Sequence, residues 1–399
     1  MSDSDNSPMD ELSRLRVAVV HDWLSTFAGS EQVLTQILDL FPQADLYSIC
    51  DFLSDADRKR LGGKRARTTF IQRLPFAKKR FRHYLPLMPL AIEQFDLRGY
   101  DLILSSSHAV GKGVLTGPDQ LHISYVNSPI RYAWDLQHEY LAQARMTRGL
   151  KSMITRCILH YIRQWDVATG LRPDVMIGNS NFICRRIQKF YRRPASTIYP
   201  CVDVDAFSQP DIVPRDSRED FYLAASRLVP YKRMDLIAEA FTQLPERKLV
   251  IIGDGSERKR LKEAAAGHPN IELMGYQPHS VLKDKLRHAK AFIFAAEEDF
   301  GIAPVEAIAA GTPVIAFGAG GSTETVLDGR SGIFFERQDA ESLRSAVIRF
   351  EAGAVGWNAE EISQSAERFS TARFRAQYKQ FVAEHWEKHR SARHLTGST

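Results

Sequence analysis

Short apolar runs, each closed by polar or turn residues, recur along the chain with stretches of helical periodicity between them. "LRVAVVHD" (15–22) is apolar and β-branched, and a loop leads from it into the helical pattern "SEQVLTQILDLF". "DLILSSSH" (101–108), "HISYVN" (122–127), "PDVMIGNS" and "STIYP" (196–200) read as further strands, with one long helical stretch over 137–166. A second series holds "DFYLAASRL" (220–228), "KLVIIGDG" (248–255), "IELMGY" (271–276), "AFIFAA" (291–296) and "TPVIAFG" (312–318). Helical patterns such as "MDLIAEAFTQL" and "SERKRLKEAAAG" separate most of them. Strands alternating with helices predict parallel sheets covered on both faces.

Between the two series, 208–219 ("SQPDIVPRDSRE") is polar, contains proline and has no period, so it predicts a linker. The expected organisation is a tail (1–15), a first α/β domain (16–207), the linker (208–219) and a second α/β domain (220–371). Residues 372–399 complete it, with an amphipathic helix, "FRAQYKQFVAEHWEKH", expected to cross back to the first domain. At 399 residues the chain exceeds one ordinary core, which agrees with two domains. The first 15 residues are polar and acidic without an apolar core, and read as a disordered tail rather than a signal peptide. No apolar run approaches the roughly 18 to 20 residues of a membrane-spanning helix. Four scattered cysteines without a C-x-x-C pair argue against a disulfide framework or a zinc site, and fit a reducing, cytoplasmic setting.

The net charge of +5 is mild but unevenly placed. From Arg58 to His83 there are eleven Lys or Arg and no acid. A solvated basic face is one reading; attraction to nucleic acid or to an anionic membrane leaflet is the other. Phe70, Ile71, Leu74, Phe76 and Phe81 alternate with the cations and "LPLMPLAIEQF" follows, which favours the membrane over a nucleic-acid groove.

In open parallel sheets, ligands bind beyond the carboxyl ends of the strands. In the second domain those ends carry Ser226, Arg227 and Lys232 in "SRLVPYKR", Gly253 in "GDGSER", Tyr276 and Gln277 in "GYQP", and "GAGGSTE". The remaining end is "EEDFGIAPVEAIAAG", where Glu298 and Glu306 have seven residues between them. Pro304 suits the first turn of a helix and Gly311 its end, placing Glu298 in the loop and Glu306 in the helix's first turn. Helix-start amides and cations together hold phosphate without a metal. Carboxylates accept hydrogen bonds from pairs of hydroxyls, so two acids beside such a site suit a sugar and a ribose. Neither a P-loop nor a G-x-G-x-x-G fingerprint is present.

These residues resemble retaining glycosyltransferases of family 4, whose fold, GT-B, has two Rossmann-like, doubly wound parallel-sheet domains facing a central cleft. The E-x7-E signature is met by Glu298 and Glu306 in "EDFGIAPVE", and the family's Arg and Lys by Arg227 and Lys232. "VIIGDGSE" and "GGSTETV" also look like its donor-domain loops, and "SPIRYAWD" (128–135) and "NSNFICRRI" (179–187) resemble bacterial mannosyltransferases of surface polysaccharides. The resemblance implies metal-independent transfer of a sugar, mannose from GDP-mannose, to a lipid-linked oligosaccharide or polysaccharide, with no cofactor. Donor contacts would come from Ser226, Gly253, Tyr276, Gln277, Phe300, Gly301, Ile302, Ala303 and Glu306. Arg227, Lys232, Glu298, His108 and Asn127 would be catalytic, and Gly29, Glu31 and Arg131 would lie on the acceptor side. The expected setting is the inner face of the plasma membrane, with a polysaccharide assembly complex as partner. Two positions depart from the pattern: "FAGSEQ" replaces a Gly-Gly pair, and Asn127 stands where relatives often have His. The alternatives are a catalytically silent partner or scaffold of this fold, and a transferase using a UDP-sugar.

Overall fold

The structure, a computed structural model, describes residues 8–208, 212–353 and 356–396. Its chain forms two units, Met1–Pro200 with Phe374–Thr399, and Cys201–Arg373. In the first, β1 (Val17–His21), β2 (Asp45–Ser48), β3 (Arg67–Thr68), β4 (Leu102–Ser107), β5 (Leu121–Val126), β6 (Val175–Gly178) and β7 (Ser196–Thr197) form one parallel sheet. Its order is β3-β2-β1-β4-β5-β6-β7. Strands β1, β4 and β5 are buried at every position, which is why they read as continuous apolar runs rather than alternating ones. Ala18, Val20, Ile103 and Tyr47 pack with Phe81, Met88 and Ile162 into the main core of this unit.

The second unit repeats the plan with β8 (Phe221–Ala225), β9 (Lys248–Ile252), β10 (Ile271–Gly275), β11 (Ala291–Phe294), β12 (Val314–Phe317) and β13 (Gly332–Phe335). They are parallel, in the order β10-β9-β8-β11-β12-β13. Both sheets therefore reverse strand order once, between β1 and β4 and between β8 and β11. Chain crossovers leave such a reversal open at the carboxyl edge.

The helix Thr371–Thr396 packs within the first unit. Phe374 and Tyr378 lie against Tyr125, with ring centroids 6.0 and 6.4 Å apart, and Arg375 Nε donates to Gln36 Oε1 at 2.6 Å. Further along, Trp386 Nε1 donates to Glu11 Oε1 at 3.1 Å and Arg390 pairs with Glu11 at 2.9 Å. Glu11 belongs to a helix, Pro8–Arg14, with Leu12 buried. The expected disordered tail is thus helical from residue 8, while 1–7 lie outside the described residues.

Two other expectations change. Of the linker 208–219, residues 209–211 lie outside the described residues and 212–219 belong to the second unit. Arg218 holds them there, donating to the carbonyl oxygens of Ala289, Ala310 and Gly311 at 2.9–3.2 Å and to Thr312 Oγ1. The predicted helix over 137–166 is two helices, Gln137–Gln143 and Leu150–Thr169, broken around Arg145 and Gly149, which both have positive φ.

The second of these helices is anchored by a buried polar cluster. Lys112, 2% exposed, pairs with fully buried Asp166 and donates to Ala109 O at 3.1 Å. Asp166 Oδ2 also accepts from Trp134 Nε1 at 2.7 Å and from the Tyr191 hydroxyl at 3.0 Å. Removing one partner of a buried pair leaves the other charge uncompensated. Lys112→Met should therefore destabilise the protein by about 3–5 kcal/mol, seen as a lower urea midpoint. A loss below about 1 kcal/mol would show that the pair is dispensable.

Candidate functional site

The reversal between β8 and β11 gathers the charged loops of the second unit. Strand β8 ends at Ala225, and the chain turns through Ser226, Arg227 and the 3-10 turn Pro230–Lys232. Arg227 Nη2 donates to the Tyr231 hydroxyl at 2.8 Å, which sets the guanidinium at the exposed rim. Lys232 reaches the loop after β11 and pairs with Glu298, both side chains being only about one-sixth exposed. Gly253, at the end of β9, is needed for close approach: a Cβ there would lie 1.8 Å from the Ser226 carbonyl oxygen. The loop after β12 meets the loop after β11 just as tightly. Gly321 N donates to Glu298 O at 2.7 Å, and a Cβ on Gly321 would lie 2.4 Å from Phe300 Cα. The backbone of 298–300 is thereby fixed from below.

The helix Ile302–Ala309 begins directly after Gly301, so the amides of Gly301, Ile302 and Ala303 stand at a helix N-terminus beside the Lys232–Glu298 pair. Counting from Ile302, Glu306 is in the second turn, not the first as expected, because the helix starts two residues before Pro304. Burial alone raises the Glu306 carboxyl to about 7, and among the described residues no side chain or amide pairs with it. Phe300, expected to touch a donor, instead buries its ring against Phe369 at 5.2 Å and offers only its backbone. Tyr276 and Gln277 follow β10, two strands from the reversal. Tyr276 is 78% exposed, and Gln277 Nε2 donates to Met274 O at 2.8 Å.

The matching reversal of the first unit, between β1 and β4, holds chemistry that the sequence reading only half found. Asp22 follows β1, is fully buried, and accepts from the backbone N–H groups of His108, Ala109, Val110 and Gly111 at 2.5–3.1 Å. His108 Nδ1 lies 3.0 Å from Asp22 Oδ2. Burial works against the Asp22 carboxylate, but His108, with His21 and the backbone donors, more than offsets it and holds its pKa well below the usual range. His21 Nε2 meets Glu31 Oε1 at 3.4 Å. Glu31, in the first turn of the helix Gly29–Leu40, also accepts from Ala28 N and Ser30 Oγ at 3.0 Å each. Burial opposes its charge too, and His21 outweighs it, so its pKa is lowered. At 5% exposure, Glu31 serves its own helix start rather than an open surface. Asn127, at the end of β5, donates to Ser106 Oγ at 3.1 Å, and Arg131 opens the short turn Arg131–Ala133. Asp22 and His21 were missed because "VVHDWL" carries no spacing signal; only the fold brings it to 108–111.

Comparisons with known proteins bear on the fold and on the second unit. The family described as Glycosyl transferases group 1 matches residues 206–369, which lie within the second unit. A GDP-mannose-dependent alpha-(1-6)-phosphatidylinositol monomannoside mannosyltransferase of Mycolicibacterium smegmatis is 31% identical over 37% of this chain and 44% of its own length. The alpha-1,3/1,6-mannosyltransferase ALG2 of Kluyveromyces lactis is 26% identical over 52% of this chain and 50% of its own. The chain spans about half the length of these curated relatives. Among solved structures, Anabaena HepE in complex with UDP superposes with a TM-score of 0.64 at 15% identity, covering 93% of this chain and all of that one. Sucrose-phosphate synthase of Thermosynechococcus elongatus gives 0.68 at 15% identity, over 94% and 100%. The fold is GT-B.

The Glu306 carboxyl generates a prediction that needs no substrate. Its folded pKa, about 7, is raised above the unfolded value of about 4.3. The folded protein then binds the proton more tightly, so this group's contribution to stability is intact below about pH 4.3, falls through that window and levels off above about 7. Glu306→Gln, which cannot ionise, should match the wild type near pH 4 and exceed it in urea midpoint at pH 8. Equal midpoints at pH 8 would show that the carboxyl is well solvated.

Proposed function

We propose that the protein is a retaining, metal-independent glycosyltransferase that moves a hexose, mannose from GDP-mannose, to a lipid-linked glycan acceptor. The observation carrying this reading is the convergence of Arg227, the Lys232–Glu298 pair, the Gly301–Ala303 amides and Glu306 at one strand reversal. As the glycosidic bond breaks, negative charge grows on the departing diphosphate, and fixed cations and helix-start amides are placed to stabilise it. Glu298, on the loop, would hold sugar hydroxyls while orienting Lys232; Glu306 would hold the ribose. His108, Asn127 and Arg131 would serve the acceptor. Mannose and GDP are favoured by the printed activity of the Mycolicibacterium relative, and mannose by that of ALG2.

A lipid-linked acceptor calls for a membrane surface, and the first unit offers one of the right chemistry. No helix among the described residues is long and apolar enough to cross a bilayer. Of the basic run, Arg58 is engaged by Asp51 and Lys64 by backbone carbonyls, whereas Arg73, Lys78, Lys79 and Arg80 are exposed. Among them Phe76 is 76% exposed and has a left-handed backbone, φ +57°, a conformation that costs a bulky residue about 1 kcal/mol or more. The helix Leu150–Thr169 adds exposed Leu150, Met153, Ile154 and Tyr161, beside Arg145, Arg148 and Lys151. Cations around exposed apolar tips suit an anionic lipid interface.

Two experiments test the reading. Titration calorimetry with EDTA present should show GDP-mannose binding, with UDP-glucose weaker, and release of mannose in a hydrolysis or transfer assay. Arg227→Ala and Lys232→Ala should each weaken binding by about 10- to 100-fold, as expected for a lost charge-assisted contact of about 1.5–3 kcal/mol. Binding without turnover would favour the silent partner; tighter UDP-glucose binding would favour a UDP-sugar donor. Loss on chelation, restored by Mn²⁺, would overturn metal independence. Separately, co-sedimentation with phosphatidylglycerol vesicles should fall with salt and with Phe76→Asp. Equal binding to neutral and anionic vesicles, or none, would remove the membrane from the proposal.

A further inference from the structure

The first unit carries histidines on two neighbouring strands in different surroundings, His122 near the start of β5 and His108 just after the end of β4. His122, in β5, is fully buried with Nε2 on Ser105 Oγ at 2.9 Å, and burial, with a smaller push from Arg193, drives its pKa down to about 3. His108 follows β4 at the strand reversal. Its backbone N–H and its ring Nδ1 both approach the same oxygen, Asp22 Oδ2, at 2.5 and 3.0 Å. The Asp22 carboxylate is itself fixed by the next three amides of that loop, so it cannot rotate away. The Trp23 ring stands edge-on to the imidazole at 4.6 Å and 89°, with His21 at 6.1 Å behind it. Nδ1 is buried and its 3.0 Å approach to Asp22 is a charge contact rather than an aligned hydrogen bond, while the side chain keeps 27% exposure, so Nε2 is the ring nitrogen open to a ligand.

We infer that Asp22 is a positioning residue for His108: it turns Nδ1 inward and presents Nε2 to a substrate hydroxyl at the carboxyl edge of the first sheet. The carboxylate 3.0 Å away favours the proton on Nδ1 electrostatically, which leaves Nε2 an acceptor in the neutral ring and a donor in the cation. The groups facing the ring are Asp22 and Glu31, which favour the cation, and Arg82, which opposes it, as does burial; the balance raises the His108 pKa. The activity part of this inference rests on the glycosyltransferase reading; the tautomer and titration parts do not.

The test uses the full chain. Nitrogen-15 histidine NMR of the wild type, with His108 assigned from His108→Gln, should show a midpoint above the ordinary value of about 6.5 and Nδ1 protonated in the neutral form. Asp22→Asn should lower that midpoint from its wild-type position, because burial and Arg82 are then opposed by Glu31 alone. In transfer assays Asp22→Asn and His108→Gln should each lower kcat at least 10-fold, with donor KM changed less than twofold. The double variant should be no slower than His108→Gln alone. A structural role would instead give a double variant slower by the product of the two single effects, and that result would overturn the inference. So would a wild-type midpoint at or below 6.5, a measurement that stands even if Asp22→Asn fails to fold. If no donor supports transfer, the functional reading fails while the titration still decides whether Asp22 governs the ring.

Discussion

A parallel sheet sends the carboxyl end of every strand to one edge, and a single reversal of strand order opens a crevice there. That constraint governs both units. It brings residues 226–232 to residues 297–306 in the second and residues 21–22 to residues 105–111 in the first, although 66 residues separate Lys232 from Glu298 and 86 separate Asp22 from His108. Helices following the strands present their N-termini at the same edge, so the backbone supplies donors where the side chains supply charge. The close passages that result leave no room for a Cβ at Gly253 or Gly321.

Three carboxyl groups at these edges meet three different environments. Asp22 is saturated by four backbone N–H groups and a histidine, and stays ionised despite complete burial. Glu298 is paired with Lys232. Glu306 has no partner among the described residues and is driven toward the protonated form. A group left without protein partners in a partly desolvated place costs stability unless something else binds it. Asp22, by contrast, meets no ligand itself: it staples the loop and, as inferred above, orients the ring that the loop carries. The same acidic chemistry is thus sorted into holding the fold and meeting a ligand by the number of donors the backbone provides.

Legibility in the sequence followed the same divide. The long buried strands were readable because burial on both faces makes them uninterrupted apolar runs, as in "VAVV" and "LVII". β2 and β3, of four and two residues, and β13, "GIFF" beside a turn, were missed because so few positions carry no period. Glu298, Glu306, Arg227 and Lys232 were found because their spacing survives in one dimension. The pairing of Lys232 with Glu298, the inward turn of Phe300 and the Asp22–His108 contact depend on which loops the reversal brings together. Arg218 shows the opposite failure: a polar stretch looked like a linker because four acceptors waiting for one guanidinium leave no local pattern.

The loop after β4 is held at both ends by carboxylates from different elements. Asp22, from the end of β1, fixes residues 108–111, and Asp166, from the helix Leu150–Thr169, takes the next side chain, Lys112. The ring of His108 therefore sits on a segment whose position is set jointly by the sheet and by that helix. The helix's opposite face carries exposed Leu150, Met153, Ile154 and Tyr161. Buried ion pairs are poor sources of net stability, since desolvation consumes most of their attraction. Their geometric value is different: they fix register between elements. Lys112–Asp166 sets the register between the loop bearing the proposed acceptor-side histidine and the helix Leu150–Thr169.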